Sequence, residues 1–302
     1  MRTSGLARLW QVSTATLFAA ILLSGCATVN PEATAEPPVD PNAVQTALSQ
    51  ADIALSRGDL PTARQSYRRV LTLSPSNAAA RLGLGEIELV AGDPHQALDH
   101  FIAAADDQTL RPGALQGRGI SLMKLRQPDA AFPVLKEAVT LDPGLWRAWN
   151  ALGSIEDGRH NWTAADEDYG KALAIKPDAA VVLNNMGVSK MMRRDYVAAE
   201  EDFAKAVAMD PHLDEAAANL RLAQAWQGRY DDAIRGANEK VLPQRLNDVG
   251  YVAMLRGDLN KAESLFLQAI AASPTYHTVA YKNLEEVERL KSSESTAAPV
   301  MQ

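Results

Sequence analysis

The sequence reads ADEDYGKALAIKP at residues 165–177 and AEEDFAKAVAMDP at residues 199–211. Both stretches contain an alanine, an aromatic residue four places on, a second alanine three places later and a proline after five more. The second copy begins 34 residues after the first. A fixed period of this length is typical of repeat proteins, in which units of two helices stack in a row.

The period extends in both directions from these two copies. Five units run in register over residues 44–77, 78–111, 112–145, 146–179 and 180–213. A sixth unit, 214–242, is five residues shorter, and a seventh covers 243–276. Alanine opens the motif in every unit, which predicts a close approach between the two helices at Ala63, Ala97, Ala131, Ala165, Ala199, Ala233 and Ala262.

Glycine recurs at one place in the first half of the units, at residues 85, 119, 153, 187 and 250. Glycine inside a helix costs roughly 0.5–1 kcal/mol relative to alanine. Its recurrence therefore predicts tight packing of the first helix on the alanine of the second. The large residue of the motif is expected to fill the space between units, at Tyr67, Phe101, Leu135, Tyr169, Phe203 and Phe266.

These residues resemble the tetratricopeptide repeat over residues 44–276. The resemblance implies an all-α solenoid, a right-handed superhelix of helix-turn-helix repeats that binds other proteins. Residues 277–291 form an amphipathic pattern that resembles the capping helix of such arrays, which shields the last repeat from solvent. The tail at 292–302 is predicted to be disordered.

The sixth unit departs from the pattern. Arg221 replaces the glycine, Ala237 replaces the aromatic residue and Lys240 replaces the second alanine. Two interpretations remain open: a drifted repeat that bends the solenoid, or a discontinuity that binds a partner.

The first 25 residues have the proportions of a signal peptide: Arg2 and Arg8, then a stretch without charge that includes an apolar run at 17–23. Leu23-Ser24-Gly25-Cys26 resembles the bacterial lipobox, which implies cleavage before Cys26 and lipid attachment to this cysteine, the only one in the chain. The alternative is an ordinary signal peptide with an incidental cysteine. Several acyl chains would make the anchor permanent, since a single chain binds reversibly.

Residues 26–43 are rich in proline and alanine, which predicts a disordered tether after the lipidated cysteine. Ala27 follows Cys26, where the enterobacterial sorting rule for lipoproteins places aspartate for inner-membrane retention. The resemblance therefore implies a location on the periplasmic face of the outer membrane.

Charge and motifs exclude several functions. The net charge is −7, and because Arg2 and Arg8 are the charged residues of 1–25, the remainder carries −9. Such a chain is a poor ligand for nucleic acid and for anionic lipid headgroups, so membrane contact is expected through the lipid alone. No catalytic motif, phosphate-binding loop or metal-ligand spacing is present, which predicts no enzymatic activity, no metal and no cofactor beyond the lipid.

The tetratricopeptide resemblance implies that the first helices line a concave groove. Methionine adapts to varied partners, and asparagine can bond to a peptide backbone, although asparagine is also common at these places of the repeat. The candidate groove residues are Gln116, Ile120, Met123, Asn150, Ser154, Asn184, Val188, Met191, Asn247, Tyr251 and Met254.

A lipobox followed by tetratricopeptide repeats is similar to the TadD-like family of the tight-adherence (Flp) pilus system. The segments LNNMGV at 183–188 and LNDVGY at 246–251 carry that resemblance. It implies a scaffold that assists a secretin or other pilus-assembly subunits. Two alternatives remain: an adaptor of peptidoglycan enzymes, and an accessory of outer-membrane biogenesis.

Overall fold

The computed structural model describes residues 40–272 and 277–297. The predicted signal peptide, the lipobox Leu23-Ser24-Gly25, Cys26 and the tether up to residue 39 lie outside the described residues. The last residues of the predicted tail, 298–302, lie outside them as well.

The described chain is built of fifteen α-helices and contains no strand, which confirms the all-α repeat array. The helices are α1 (Pro41–Ser56), α2 (Leu60–Leu73), α3 (Ala78–Ala91), α4 (Pro94–Ala104), α5 (Arg111–Lys124), α6 (Pro128–Leu141), α7 (Trp146–Gly158), α8 (Trp162–Ile175), α9 (Ala180–Met192), α10 (Tyr196–Met209), α11 (Asp214–Trp226), α12 (Tyr230–Ile234), α13 (Leu242–Leu255), α14 (Leu259–Ala272) and α15 (His277–Ala297).

The odd-numbered helices α1 to α13 are the first helices of seven pairs, and the even-numbered helices α2 to α14 are the second. Each first helix packs on its own second helix, and the second helix packs on the first helix of the next pair. Consecutive odd-numbered helices also pack on each other along the array, from α1 with α3 to α13 with α15. Consecutive even-numbered helices of the described chain do not pack on each other in this way. The array therefore curves with the first helices on the inside, and we call this the first-helix face.

The turn inside each pair has one geometry. The residue just before the N-cap of the second helix has a positive φ, as at Gly58 and Gly92. An aspartate usually follows and caps the second helix; the Asp59 and Asp93 carboxylates accept hydrogen bonds from the backbone N–H groups of Thr62 and Gln96. These caps fix where the second helix begins.

The core alternates small and large side chains. The seven motif alanines are all fully buried. The recurrent glycines, however, face the large motif residue and not the alanine, which corrects the predicted partner. Phe101 lies between Gly85 of its own pair and Gly117 of the next, and a Cβ on these glycines would lie 2.6 and 2.4 Å from its ring. The glycines make room for a ring that joins two repeats.

The sixth pair differs because its second helix is a single short segment. Helix α12 has five residues and ends at Ile234. Ala237 and Lys240 lie after that end, outside the helix. The positions of the motif that they occupy in the sequence therefore have no helical counterpart in this pair. No motif ring faces α11 from this pair, and Arg221 therefore fits at the place where α3, α5, α7, α9 and α13 have glycine.

Two predicted boundaries are wrong. Helix α1 begins at Pro41, inside the range 26–43 that was predicted as a disordered tether, because the Asp40 carboxylate accepts a hydrogen bond from Asn42 N–H and the fixed φ of proline suits the first helical position. Helix α15 continues to Ala297, so residues 292–297 are helical and not disordered.

Helix α15 occupies the place of an eighth first helix. It packs on α13 and α14, and its inward side chains Ala280, Leu284 and Val287 are buried with the core of the seventh pair. No helix within the described ranges is both long and apolar enough to cross a membrane.

Candidate protein-binding face

The first-helix face carries a groove of about 350 Å³ between α5, α7 and α9, which we call the central groove. Apolar and polar side chains alternate along it. It is lined by Ile120, Met123, Lys124, Trp146, Arg147, Asn150, Ala151, Ser154, Val181 and Asn185. Four of the predicted groove residues meet here: Ile120, Met123, Asn150 and Ser154.

An ion pair crosses the face beside the central groove. Arg147 Nη1 on α7 lies 3.0 Å from Glu86 Oε2 on α3, so it reaches past α5. Both side chains are about one-third exposed. Exposed pairs of this kind contribute ~0–1 kcal/mol, so a bound segment could replace the contact at little cost.

A smaller cavity of about 170 Å³ continues the central groove toward α9 and includes Ser154, Val188 and Met192. Asp157 lies in its wall and is buried. The Asp157 carboxylate accepts hydrogen bonds from Tyr169 Oη at 2.8 Å and Ser189 Oγ at 2.5 Å. Burial raises the pKa of the Asp157 carboxyl, and burial together with this carboxylate raises the pKa of Tyr169. The network joins α7, α8 and α9.

Each of the three predicted asparagines accepts a hydrogen bond from an asparagine of the next first helix. The Asn150 side-chain oxygen accepts a hydrogen bond from Asn185 Nδ2 at 3.0 Å. Asn184 and Asn247 are buried, and each also accepts a hydrogen bond from an asparagine of the next first helix. Asn184 accepts from Asn219, and Asn247 accepts from Asn283, both at 2.9 Å. These amides therefore link successive first helices.

Three other predicted groove residues also have structural roles. Gln116 is buried, and its Oε1 accepts a hydrogen bond from the backbone N–H of Ala148 at the start of α7. Met191 packs against the core around Phe203, and Met254 packs against the core of the last pair. Helical spacing alone does not separate side chains that line the groove from side chains that contact the neighbouring helix. The two sets lie on adjoining sides of the same helix, only a few residues apart in the sequence.

A second, larger cavity of about 660 Å³ lies between α11, α13 and α15, and we call it the C-terminal cavity. The predicted residues Asn247 and Tyr251 line it. The sequence did not predict Val241, Arg245 or Val279 as lining residues. Val241 lies in the irregular sixth unit, which was a signal for it, whereas Arg245 and Val279 lie after that unit. The lining residues are Ala218, Arg221, Leu222, Val241, Gln244, Arg245, Asn247, Asp248, Val249, Tyr251, Val252, Val279 and Asn283.

Within the described ranges, no group of three His, Cys, Asp or Glu residues has a geometry that could hold a metal ion. Apolar, amide, hydroxyl and charged side chains together line the central groove and the C-terminal cavity, which suits recognition of another chain.

Helix pairs with this packing define the class of α-helical repeat scaffolds. The family model described as "Tetratricopeptide repeat" matches residues 48–114, 117–180 and 185–248, which is more than half of the chain. The chain belongs to the tetratricopeptide repeat family. It is a protein-binding scaffold of a family that is usually non-catalytic.

Individual relatives are similar over the repeats. "Putative cellulose synthase operon protein C" of Escherichia coli O157:H7 is 40% identical over 72 residues, which are 23% of this chain and 6% of that protein. The chain thus spans a small part of this curated relative.

Two crystal structures share the fold. A tetratricopeptide repeat protein from Parabacteroides merdae superposes with a TM-score of 0.53 at 18% identity, over 82% of this chain and 99% of that one. The structure of the APC/C hetero-tetramer Cut9-Hcn1 gives a TM-score of 0.59 at 18% identity, over 81% of this chain and 52% of that one.

Proposed function

We propose that the chain is a lipid-anchored scaffold on the periplasmic face of the outer membrane, which holds a segment of a partner protein in the central groove. The observation that carries the binding role is the groove itself. It presents apolar side chains to solvent, as at Val181, which is 39% exposed, beside amide and hydroxyl groups. Partly exposed apolar surface next to polar groups is the usual composition of a recognition site.

The anchor is supported by the sequence Leu23-Ser24-Gly25-Cys26 after an uncharged apolar run. A cysteine that carries several acyl chains binds a bilayer permanently. The acidic remainder of the chain would not bind anionic lipid by itself.

The partner is proposed to be a secretin or another assembly subunit of a Flp (Tad) or related pilus. The support is the layout of the chain, a lipobox and then repeats, and the segments at 183–188 and 246–251. A scaffold on the periplasmic face could hold such a subunit while it reaches or keeps its place in the outer membrane.

The test of the anchor is the Cys26→Ser variant, followed by fractionation of its own cells. The variant is expected to fold and to leave the membrane for the soluble periplasmic fraction. Retention in the membrane fraction would exclude the lipobox as the anchor.

The test of the partner is a crosslinked pull-down of the wild-type protein from the same cells, with Cys26→Ser as the control. Recovery of a secretin or pilus-assembly subunits only with the anchored form supports the proposal. Recovery of peptidoglycan hydrolases or their regulators instead would move the function to an adaptor of envelope enzymes.

The test of the central groove is a pair of matched variants. Val181→Glu places a charge in the groove wall, whereas Val90→Glu places the same charge on α3 at a side chain that is 69% exposed and does not line the groove. We expect Val181→Glu alone to abolish partner recovery. Equal recovery with both variants would place the partner elsewhere.

A further inference from the structure

The C-terminal cavity combines apolar walls with positive charge. Val241, Tyr251 and Val279 line it and are 37%, 45% and 52% exposed. Apolar side chains contributed by the start of α13, by its middle and by α15 thus remain in contact with solvent. The cavity has nearly twice the volume of the central groove.

Arg221 is the unusual residue of this cavity. It replaces the recurrent glycine, which the missing ring of the sixth pair makes possible. Its guanidinium makes no hydrogen bond and no ion pair with any of the residues that the structure describes. Burial is the main cause that lowers the pKa of Arg221, and the neighbouring Arg245 adds to it, whereas the charges of Asp214 and Asp248 act in the opposite direction. The guanidinium is therefore partly desolvated.

Arg245 is held in place by the last residue of α12 and the residue that follows it. Its Nη1 donates to the carbonyl oxygens of Ile234 and Arg235, at 3.4 and 2.9 Å. Asp248 is the acid among the lining residues, and its carboxylate accepts a long hydrogen bond from Asn247 at 3.5 Å. Two arginines and one aspartate leave a net charge of +1 in a chain whose total is −7.

We propose that the C-terminal cavity binds an acidic, aliphatic segment of a partner protein, with a carboxylate on Arg221 and an aliphatic side chain against Val241, Tyr251 and Val279. Charge complementarity selects this occupant, because a carboxylate supplies the partner that the Arg221 guanidinium lacks. The sixth repeat is then a binding discontinuity. This site goes beyond the proposed function, because it requires neither the lipid anchor nor the central groove.

The test uses the purified full chain and two short fluorescent peptides with blocked ends. One alternates Asp with Leu, and the other has Asn in place of every Asp. Fluorescence anisotropy is expected to show binding of the Asp peptide, at least about tenfold weaker binding of the Asn peptide, and loss of affinity with added salt. Equal affinity for the two peptides would overturn the proposal.

Arg221→Gln should weaken binding of the Asp peptide by about tenfold, since it removes the charged donor but keeps a polar side chain of similar reach. The control is Arg57→Gln, which makes the same change of charge at an exposed residue at the end of α1. Should Arg221→Gln fail to fold, Val279→Glu adds a negative charge to the exposed wall of the cavity and is expected to weaken binding similarly.

Affinity that is unchanged in Arg221→Gln or Val279→Glu, relative to Arg57→Gln, would overturn the assignment. Sedimentation of the full chain tests another occupant. A dimer that dissociates in Arg221→Gln would identify a second copy of this chain as the occupant and would also overturn the proposal. Because none of these measurements uses the lipid or the central groove, failure here leaves the proposed function intact.

Discussion

At the scale of single residues, the array is held together by contacts between glycine and rings. A Cβ on Gly153 would lie 2.7 Å from the Tyr169 ring, and on Gly187 it would lie 2.6 Å from the Phe203 ring. Carbon atoms in contact are ~3.5–4.0 Å apart, so a single methyl group at these places forces the ring to move. The same rings are fully buried and leave little space for that movement.

Gly153→Ala is therefore expected to destabilise the fold by about 1–3 kcal/mol through overpacking against Tyr169. Urea unfolding followed by circular dichroism measures the change. The matched control is Gly170→Ala, where a Cβ meets nothing within 4 Å on the exposed side of α8. That variant should gain ~0.5–1 kcal/mol from helix propensity. Equal effects of the two substitutions would contradict the ring contact.

A second residue-scale feature is the left-handed turn inside each pair. Arg126, His160 and Arg194 have φ of about 60° at the place where the other pairs have glycine. A side chain in this conformation costs roughly 1–2 kcal/mol. The geometry is imposed by the pair and does not depend on the residue that occupies it.

Arg194→Gly is expected to raise the free energy of unfolding by about 1 kcal/mol, because glycine adopts this conformation without steric cost. Part of the gain is offset by the greater freedom of glycine in the unfolded chain. Thermal and urea unfolding of the variant provide the measurement, and a lower stability than wild type would contradict it.

At the scale of helices, side-chain networks fix how neighbouring pairs sit on each other. The three asparagine pairs connect α7 with α9, α9 with α11 and α13 with α15. Asp157 connects the fourth pair with α9 through Tyr169 and Ser189. Each oxygen of this buried carboxylate accepts one hydrogen bond from a hydroxyl group, but its charge still loses hydration.

The Asp157 network gives a pH dependence whose sign follows from its burial. The pKa of the Asp157 carboxyl is raised in the folded protein, so the folded state holds the proton more tightly than the unfolded chain. Its contribution to stability is present below the unfolded pKa of ~3.9 and is lost as pH rises through the folded pKa.

Asp157→Asn removes this titration. Relative to wild type, the variant should become progressively more stable as pH rises from about 4 toward neutrality. Urea unfolding of both proteins over that range measures the difference. A difference that does not change with pH would show that Asp157 titrates alike in the folded and unfolded states.

At the scale of the whole molecule, helix packing within the described ranges joins each pair to its sequence neighbours, and the Arg147–Glu86 ion pair is a side-chain contact that reaches past one pair. In such arrays stability is a sum of repeat and interface terms, and damage spreads only to neighbours. Helix α15 covers the last pair, with Val287 fully buried against it.

Val287→Asp buries an unpaired carboxylate and is expected to detach α15. Hydrogen exchange measured by mass spectrometry should then increase in α13 and α14 and stay unchanged in α1 to α4. A uniform increase along the chain would show that the array unfolds as one unit.

The sequence determined the repeat by itself, because helical units of constant length leave small and large residues at a constant period. Ala165 and Tyr169 recur as Ala199 and Phe203 since each pair solves the same packing problem with its neighbours. The lipobox resemblance likewise belongs to the sequence, and it stays a prediction because residues 1–39 lie outside the described chain.

Only the tertiary structure decided which polar residues are available to a partner. Asn184 and Ser154 are both polar and both lie on first helices, yet Asn184 bonds to the next helix while Ser154 lines the central groove. The opening of the C-terminal cavity required α12 to end at Ile234, which leaves Arg221 without a ring opposite it. Which side chains are exposed and where the cavity opens depend on the angle between neighbouring helices. That angle is set by the packing of two helices, so the spacing of residues along one helix does not predict it.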